Sequence, residues 1–346
     1  MVRSPRASAD KIELIMTVFL TGATGFVGSA VLRKLLAAGH EVRVLARENG
    51  DRRNIEGVPC EVIEGDLGDA NTYKAALKGC SGVFHVAADY RIWAPDAVAM
   101  NRINVDGTRD LLRLATECGV DRIVYTSSVA TLGLNKDGTP SNENTRCSYA
   151  DMIGVYKRSK FLAEAEVHRL VSEESIPAVI VNPSAPIGPR DIKPTPTGRI
   201  VVDTASGKMP AYVDTGLNFV HVEDVADGHL LAYEHGKIGE RYILGGENFT
   251  LLQMLTEISE FVGRKPPSIK LPQNLLLPIA YLVESLSRLT GSWEPFVTVD
   301  GVKMSKKLMY FSSDKAKEAL GYKTRPVKTA VADAVEWYRS NGYLKP

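Results

Sequence analysis

The chain has 346 residues, 44% apolar and 24% charged, with 42 basic against 41 acidic side chains and a net charge of +1. Such a composition excludes a mostly disordered, collagen-like or coiled-coil chain, and the charge balance offers nucleic acid no overall basic field. At roughly 150 residues per domain, the length suits two domains or one large α/β unit with insertions.

Residues 1–14 (MVRSPRASADKIEL) are polar and lack an apolar stretch, so they are not a secretory signal. The expectation is a loose tail over 1–15, or a natural start at Met16. Residues 17–21 (TVFLT) read as a strand running into GATGFVG (22–28) and a helix from about Ser29 to Ala38. A second strand follows at 41–46 (EVRVLA), completing a βαβ unit. Strands at 60–67, 82–88, 121–128 and 178–184 then alternate with helices at 72–78, 98–118 and 149–174. That alternation predicts an α/β fold, a doubly wound parallel sheet of the Rossmann type. Beyond Pro183 the texture changes: 185–218 is rich in Gly and Pro and reads as irregular. A strand at 218–224, a helix to about Glu234 and a strand at 241–246 follow, then helices at 250–263 and 273–289, a strand-like run at 297–311, and helices at 313–320 and 326–341. The expected division is a dinucleotide-binding domain over 16–183, with 219–248 returning to it. Residues 184–218 and 249–346 would form a smaller, interleaved C-terminal substrate lobe.

No segment reaches the ~18 uncharged apolar residues of a membrane span. The longest candidate, Leu271 to Val283, contains Pro272 and Pro278. Cys60, Cys80, Cys118 and Cys147 form no CxxC pair, which argues against a zinc site and for a reducing, cytoplasmic setting. No metal is expected.

Gly22, Gly25 and Gly28 sit between a strand and a helix, where glycines allow a tight turn, backbone approach to a pyrophosphate and close helix–strand packing. The strand at 41–46 ends at Arg47, with Arg52 and Arg53 beyond, where NAD sites carry an acidic residue. A guanidinium suits a 2′-phosphate, so NADP is favoured while NAD stays open. Asp66, after the third strand, can accept from an adenine amino group. Tyr156 and Lys160 share one helix face, and an ammonium beside a phenol favours the phenolate. Thr126-Ser127-Ser128 closes the preceding strand, where a hydroxyl can hold a carbonyl oxygen that gains charge.

These residues resemble the extended short-chain dehydrogenases/reductases. The match runs through TGATGFVG (21–28), GDL (65–67), HVAA (85–88), NVDGT (104–108), YTSS (125–128), YKRSK (156–160), NPSAPIGP (182–189), FVHVEDVADGH (219–229) and FSSDKAKEALGY (311–322). The resemblance implies Tyr156 as acid/base, Lys160 on the nicotinamide ribose, Ser128 rather than Ser127 orienting substrate, and Asn104 supporting a proton relay. It also implies a cofactor held by Gly22, Thr24, Gly25, Phe26, Val27, Gly28, Arg47, Asp66, Leu67, Ala87, Ala88 and Pro183, and a homodimer through helices near 100–118 and 150–172. Within that family the sequence is most similar to the hopanoid-associated sugar epimerases and the dihydroflavonol-reductase-like group.

Val129-Ala130-Thr131 after Ser128 lacks the Asp-Glu pair of dehydratases. Leu217 stands where sugar-nucleotide epimerases carry an Arg for the diphosphate; Lys303 or Arg190 are the candidate substitutes. The favoured reading is an NAD(P)-dependent hydride transfer at a secondary alcohol or ketone. The alternatives are an NDP-sugar epimerase with tightly bound NAD and a dinucleotide-binding regulatory protein. The small-molecule substrate is either a sugar nucleotide or an apolar polycyclic or polyprenoid ketone. The apolar run 271–289 would bury one helix face, line a pocket or make a peripheral membrane contact. His221 reads as a structural histidine.

Overall fold

The computed structural model describes residues 16–90, 96–290 and 297–344. The tail expected over residues 1–15 lies outside them. The strands are β1 (Thr17–Thr21), β2 (Glu41–Ala46), β3 (Glu61–Glu64), β4 (Gly82–His85), β5 (Arg122–Thr126), β6 (Ala178–Pro183), β7 (Ala185–Ile187), β8 (Ala211–Tyr212), β9 (Gly216–His221), β10 (Arg241–Leu244), β11 (Glu247–Thr250), β12 (Ile269–Lys270) and β13 (Leu308–Met309). The helices are α1 (Phe26–Ala37), α2 (Ala97–Asn101), α3 (Gly107–Glu117), α4 (Gly154–Glu174), α5 (Pro196–Ala205), α6 (Val222–His235), α7 (Leu251–Phe261), α8 (Gln273–Thr290), α9 (Val299–Ser305), α10 (Asp314–Leu320) and α11 (Val327–Ser340).

A seven-stranded sheet runs in the order β10-β6-β5-β4-β1-β2-β3, with every pairing parallel. Its strands are apolar on both faces because helices cover both. Val18 and Leu20 of β1 pack into one core layer and Phe19 into the opposite one. The strand order reverses beside β1, between β2 and β4, which opens a crevice at the carboxyl ends of these strands. This is the doubly wound α/β fold. A second sheet, β11-β9-β13 with β7 also on β9, is backed by an apolar core of α5, α7 and α11 side chains. After Pro183 the chain thus crosses to the small sheet, and α6 and β10 come back to the large one. β9 and β11 stay with the small sheet, so the return is narrower than residues 219–248.

Several local readings change: the stretch 185–218, expected to be irregular, carries helix α5. The long helix over 98–118 is interrupted by a π-helical turn at Arg102–Asp106, which hydropathy spacing does not reveal. The stretch 297–311 is β-branched at its start, but Thr298 accepts from Gly301 N and caps helix α9; the extended part shrinks to β13. Helix α8 runs through Pro278, sacrificing a backbone hydrogen bond. Its Ala280 and Val283 are buried, whereas Leu275, Ile279, Leu282 and Leu286 face outward. No helix among the described residues is long and apolar enough to cross a membrane. Helices α3 and α4, where a dimer contact is expected, are clamped within the chain by Arg109–Glu166 (2.7 Å) and Arg113–Glu174 (2.6 Å).

His229 of α6 lies fully buried under β5. Its Nδ1 donates to the Val225 carbonyl (2.7 Å), so Nε2 accepts from the Thr126 hydroxyl (2.8 Å). Burial holds its pKa down to about 4. The unfolded chain therefore takes up the proton first, near its ordinary ~6.5, and this share of stability is full above that value and lost as pH falls toward 4. Urea unfolding between pH 6.5 and 5 should show wild type losing about 1 kcal/mol per pH unit more than His229→Gln. Parallel pH profiles would contradict the neutral buried ring.

Candidate active site

The turn between β1 and α1 needs its glycines for definite reasons. Gly22 has φ +80°, and a methyl group there would come within 2.6 Å of the Ala87 nitrogen. A methyl group at Gly28 would strike the Gly22 carbonyl, so only glycine lets α1 pack this close. Gly25 N donates back to Gly22 O (2.9 Å). Gly25 is also the N-cap of α1 and covers the helix start with no side-chain bond. The first-turn amides and the positive end of the helix dipole are left for an anion. Thr24, Phe26 and Val27 are half-buried around this opening. The loop is fixed from behind by buried Asn54, whose Nδ2 donates to the carbonyls of Thr24 (3.1 Å), Gly25 (3.3 Å) and Arg190 (3.1 Å). Asn54 escaped the sequence reading because its partners are remote in sequence.

Around this cradle, Arg47 stands exposed just past β2 and makes no ion pair among the described residues, whereas Arg52 is held by Glu64 (2.7 Å) and Arg53 by Asp51 (2.6 Å). Asp66 is exposed and accepts from Gly68 N (2.8 Å). Leu67 is buried close under Gly107. Ala87 and Ala88 follow β4 half-buried, and Pro183 is buried at the end of β6. The open helix start, the glycine turn and the unpaired guanidinium fit the pyrophosphate and ribose of a dinucleotide.

A buried relay links this cradle to Asn104. Thr108 Oγ1 donates to the Asn104 carbonyl (2.7 Å), so it accepts from His85 Nε2 (2.9 Å). His85 Nδ1 then accepts from the Thr21 hydroxyl (2.8 Å), which accepts from Ala87 N (3.1 Å). Each group has one role, and burial together with the Lys160 charge keeps the imidazole neutral, down to about 3. The Asn104 side chain accepts from Asp89 N (2.7 Å) and donates to Asp89 O and Ser159 Oγ (both 2.9 Å). The π-helical turn carries it into this position.

Tyr156 and Lys160 lie in the first turns of α4. Lys160 is 2% exposed and aims at β5: Nζ donates to the Thr126 carbonyl (2.8 Å) and the Tyr125 hydroxyl (3.1 Å). Burial lowers its pKa to about 8. The expectation that its ammonium pulls the Tyr156 phenol down is not met here. Burial raises the phenol above its ordinary value, and only the Ser128 hydrogen bond works the other way. Ser128 and Tyr156 are thus neighbours. Ser127 turns the opposite way, to the buried Glu164 carboxylate. Glu164 also accepts from Thr131 (2.8 Å), Asn182 (2.8 Å) and Arg241 (2.9 Å).

An open cleft of about 110 Å³ lies beside Ser128, lined chiefly by apolar groups such as Leu132, Leu217, Met309 and Phe311, with Lys157 and Ser184 among its polar ones. Leu217 of β9 is therefore inside the cleft. The two candidate substitutes for a phosphate grip are elsewhere: Arg190 pairs with Glu223, and Lys303 is exposed on α9. Among the described residues, no α8 side chain lines the cleft. His221 caps α6, accepting from Glu223 N (3.0 Å) and donating to Asp333 (2.9 Å). Lys157 was missed in the sequence, since only its place one step round the helix from Tyr156 turns it toward β13.

Comparison with known proteins bears on this site. A Synechocystis sp. protein named "Putative dihydroflavonol 4-reductase" is 44% identical over 94% of this chain and 96% of its own length. Sterol demethylase protein B of Methylococcus capsulatus is 34% identical over 95% and 100%. The crystal structure of gox2253 is 56% identical, with a TM-score of 0.86 over 95% of this chain and 99% of that one. Residues 18–245, from β1 through the return to the large sheet, match the family as a unit. The chain belongs to the NAD-dependent epimerase/dehydratase family, among the extended short-chain dehydrogenases/reductases.

Proposed function

We propose that this protein is an NADP-preferring oxidoreductase that transfers hydride at a secondary alcohol or ketone of largely apolar character, acting with an exchanging cofactor. The observation that carries this reading is Leu217 beside Ser128 in an apolar cleft. An aliphatic side chain gives a sugar-nucleotide diphosphate nothing to pair with, whereas it packs well against a polycyclic or polyprenoid ketone. The unpaired Arg47 supports a 2′-phosphate over a bare ribose. The names of the two curated relatives, a dihydroflavonol reductase and a sterol demethylase protein, are in keeping with such substrates.

When bound, the dinucleotide supplies or accepts the hydride at its nicotinamide C4. The chain's own residues manage the proton and the oxygen. Burial keeps the Tyr156 phenol protonated at neutral pH, which suits donation to a carbonyl oxygen. The Ser128 hydroxyl, next to that phenol, donates to the same oxygen as charge builds on it. Lys160, anchored on Thr126 and Tyr125, binds the nicotinamide ribose in the extended short-chain pattern. Asn104, held by Asp89 and Ser159, keeps the π-helical turn beside α4 as the relay's support.

NADPH oxidation measured with a panel of alicyclic and polycyclic ketones tests the reading. Tyr156→Phe should lower kcat by roughly 10²-fold or more while NADPH affinity stays within about twofold. Full activity in that variant would remove the phenol from the chemistry, and binding of NADPH without turnover in the wild type would favour a regulatory role. Arg47→Ala should weaken NADPH by about tenfold and leave NADH binding alone. Equal loss of both would place Arg47 outside the cofactor choice.

A further inference from the structure

The cleft holds a charge that the proposed hydride transfer does not use. Lys157 follows Tyr156 in α4, so its side chain leaves the helix about 100° further round and enters the cleft rather than the Lys160 channel. Its Nζ has a thioether for company, Met309 Sδ at 3.9 Å, and it forms no ion pair among the described residues. Exposed Lys307 repels it. Burial and that repulsion lower the ammonium to about 8, so it is still largely charged at neutral pH. Beside it lies Ser184, whose buried hydroxyl oxygen has no hydrogen-bond partner. Neighbouring apolar groups, Leu217 and Phe311 among them, complete the wall. An ammonium left in an apolar cleft without a counter-charge is costly unless a ligand brings one. The ammonium without a counter-charge and the unpartnered Ser184 hydroxyl, on the cleft that Ser128 also lines, define where that counter-charge would sit.

We infer that the cleft takes an apolar alcohol or ketone bearing one carboxylate, and that Lys157, with Ser184 beside it, is the subsite for that carboxylate. The inference rests on the cleft being where the reacting carbon sits, as proposed above, and it names the substrate class of that site. A sugar nucleotide does not fit the same pattern. Its diphosphate carries two charges, against which the described residues of the cleft wall set one ammonium and no guanidinium. The subsite also accounts for the Leu217 wall: specificity comes from one charge placed against an otherwise apolar body.

The test uses the full-length protein saturated with NADPH and two cage-shaped probes of equal size, adamantane-1-carboxylate and neutral adamantane-1-methanol. Binding is read by calorimetry. The carboxylate should bind at least about tenfold more tightly than the alcohol, as expected for a charge-assisted hydrogen bond in an apolar site. In Lys157→Met that preference should fall to about twofold or less, and in Lys157→Arg it should largely return. NADPH titration of each variant checks that it is folded. Three results would overturn the inference: equal binding of the two probes, binding of neither at millimolar concentration, or a preference that survives in Lys157→Met. The outcome is separable from the reaction itself. A Lys157-dependent preference in a wild-type protein that oxidises NADPH with no ketone of the panel leaves the subsite standing and removes the hydride-transfer reading. Loss of activity in Tyr156→Phe without a carboxylate preference does the reverse.

Discussion

A buried carboxylate keeps the reactive edge of the large sheet in register. Glu164, 4% exposed at its side chain, lies two turns beyond Tyr156 on the same helix. It receives Ser127 and Thr131 from the segment after β5, Asn182 from β6 and Arg241 from β10. Four segments meeting at one anion cannot slide independently, and removing the anion would strand several buried donors. Because Ser127 is fixed inward, its neighbour Ser128 is presented to the cleft and to Tyr156. Because α4 is fixed at Glu164, its first turns bring Tyr156, Lys157 and Lys160 to three different destinations: the phenol to Ser128, one lysine to the cleft, the other to β5.

The two halves of the site meet through backbone and hydroxyl groups. The Thr21–His85–Thr108 chain starts one residue before Gly22 and ends on the carbonyl of Asn104. A neutral, single-tautomer imidazole in the middle makes this a rigid spacer between the dinucleotide cradle and the π-helical turn. The division of labour follows. In the proposed reaction, backbone, glycine and helix dipole would face the cofactor and titratable side chains the reacting oxygen, while the small sheet contributes the apolar wall.

Much of this was legible in the sequence, and the boundary is physical. The glycine turn and the Tyr156/Lys160 pair are local spacings, fixed by strand, turn and helix geometry within a few residues. The parallel sheet followed from alternating elements. Asn54, Glu164, His85 and Lys157 were silent because each takes its role from partners brought together by the fold; Asn54 and Arg190 are 136 residues apart. The π-helical turn leaves no periodic signature in a few residues. At 297–299, β-branched residues mimic a strand, yet a capping threonine starts a helix there. Lys160 illustrates a further limit: spacing placed it on the face of Tyr156, but its reach to the Thr126 carbonyl depends on how closely α4 packs on β5.

The central claim is that the cofactor exchanges at each turnover, with hydride ending on product instead of returning to the same carbon. It is tested most directly by denaturing freshly purified, dialysed protein and identifying and counting the dinucleotide released. The account predicts far less than one dinucleotide per chain, and emptied protein that binds NADPH clearly more tightly than NADH. About one NAD per chain, retained through dialysis, would mean a closed redox cycle of the epimerase kind and would contradict the reductase reading together with the role given to Arg47.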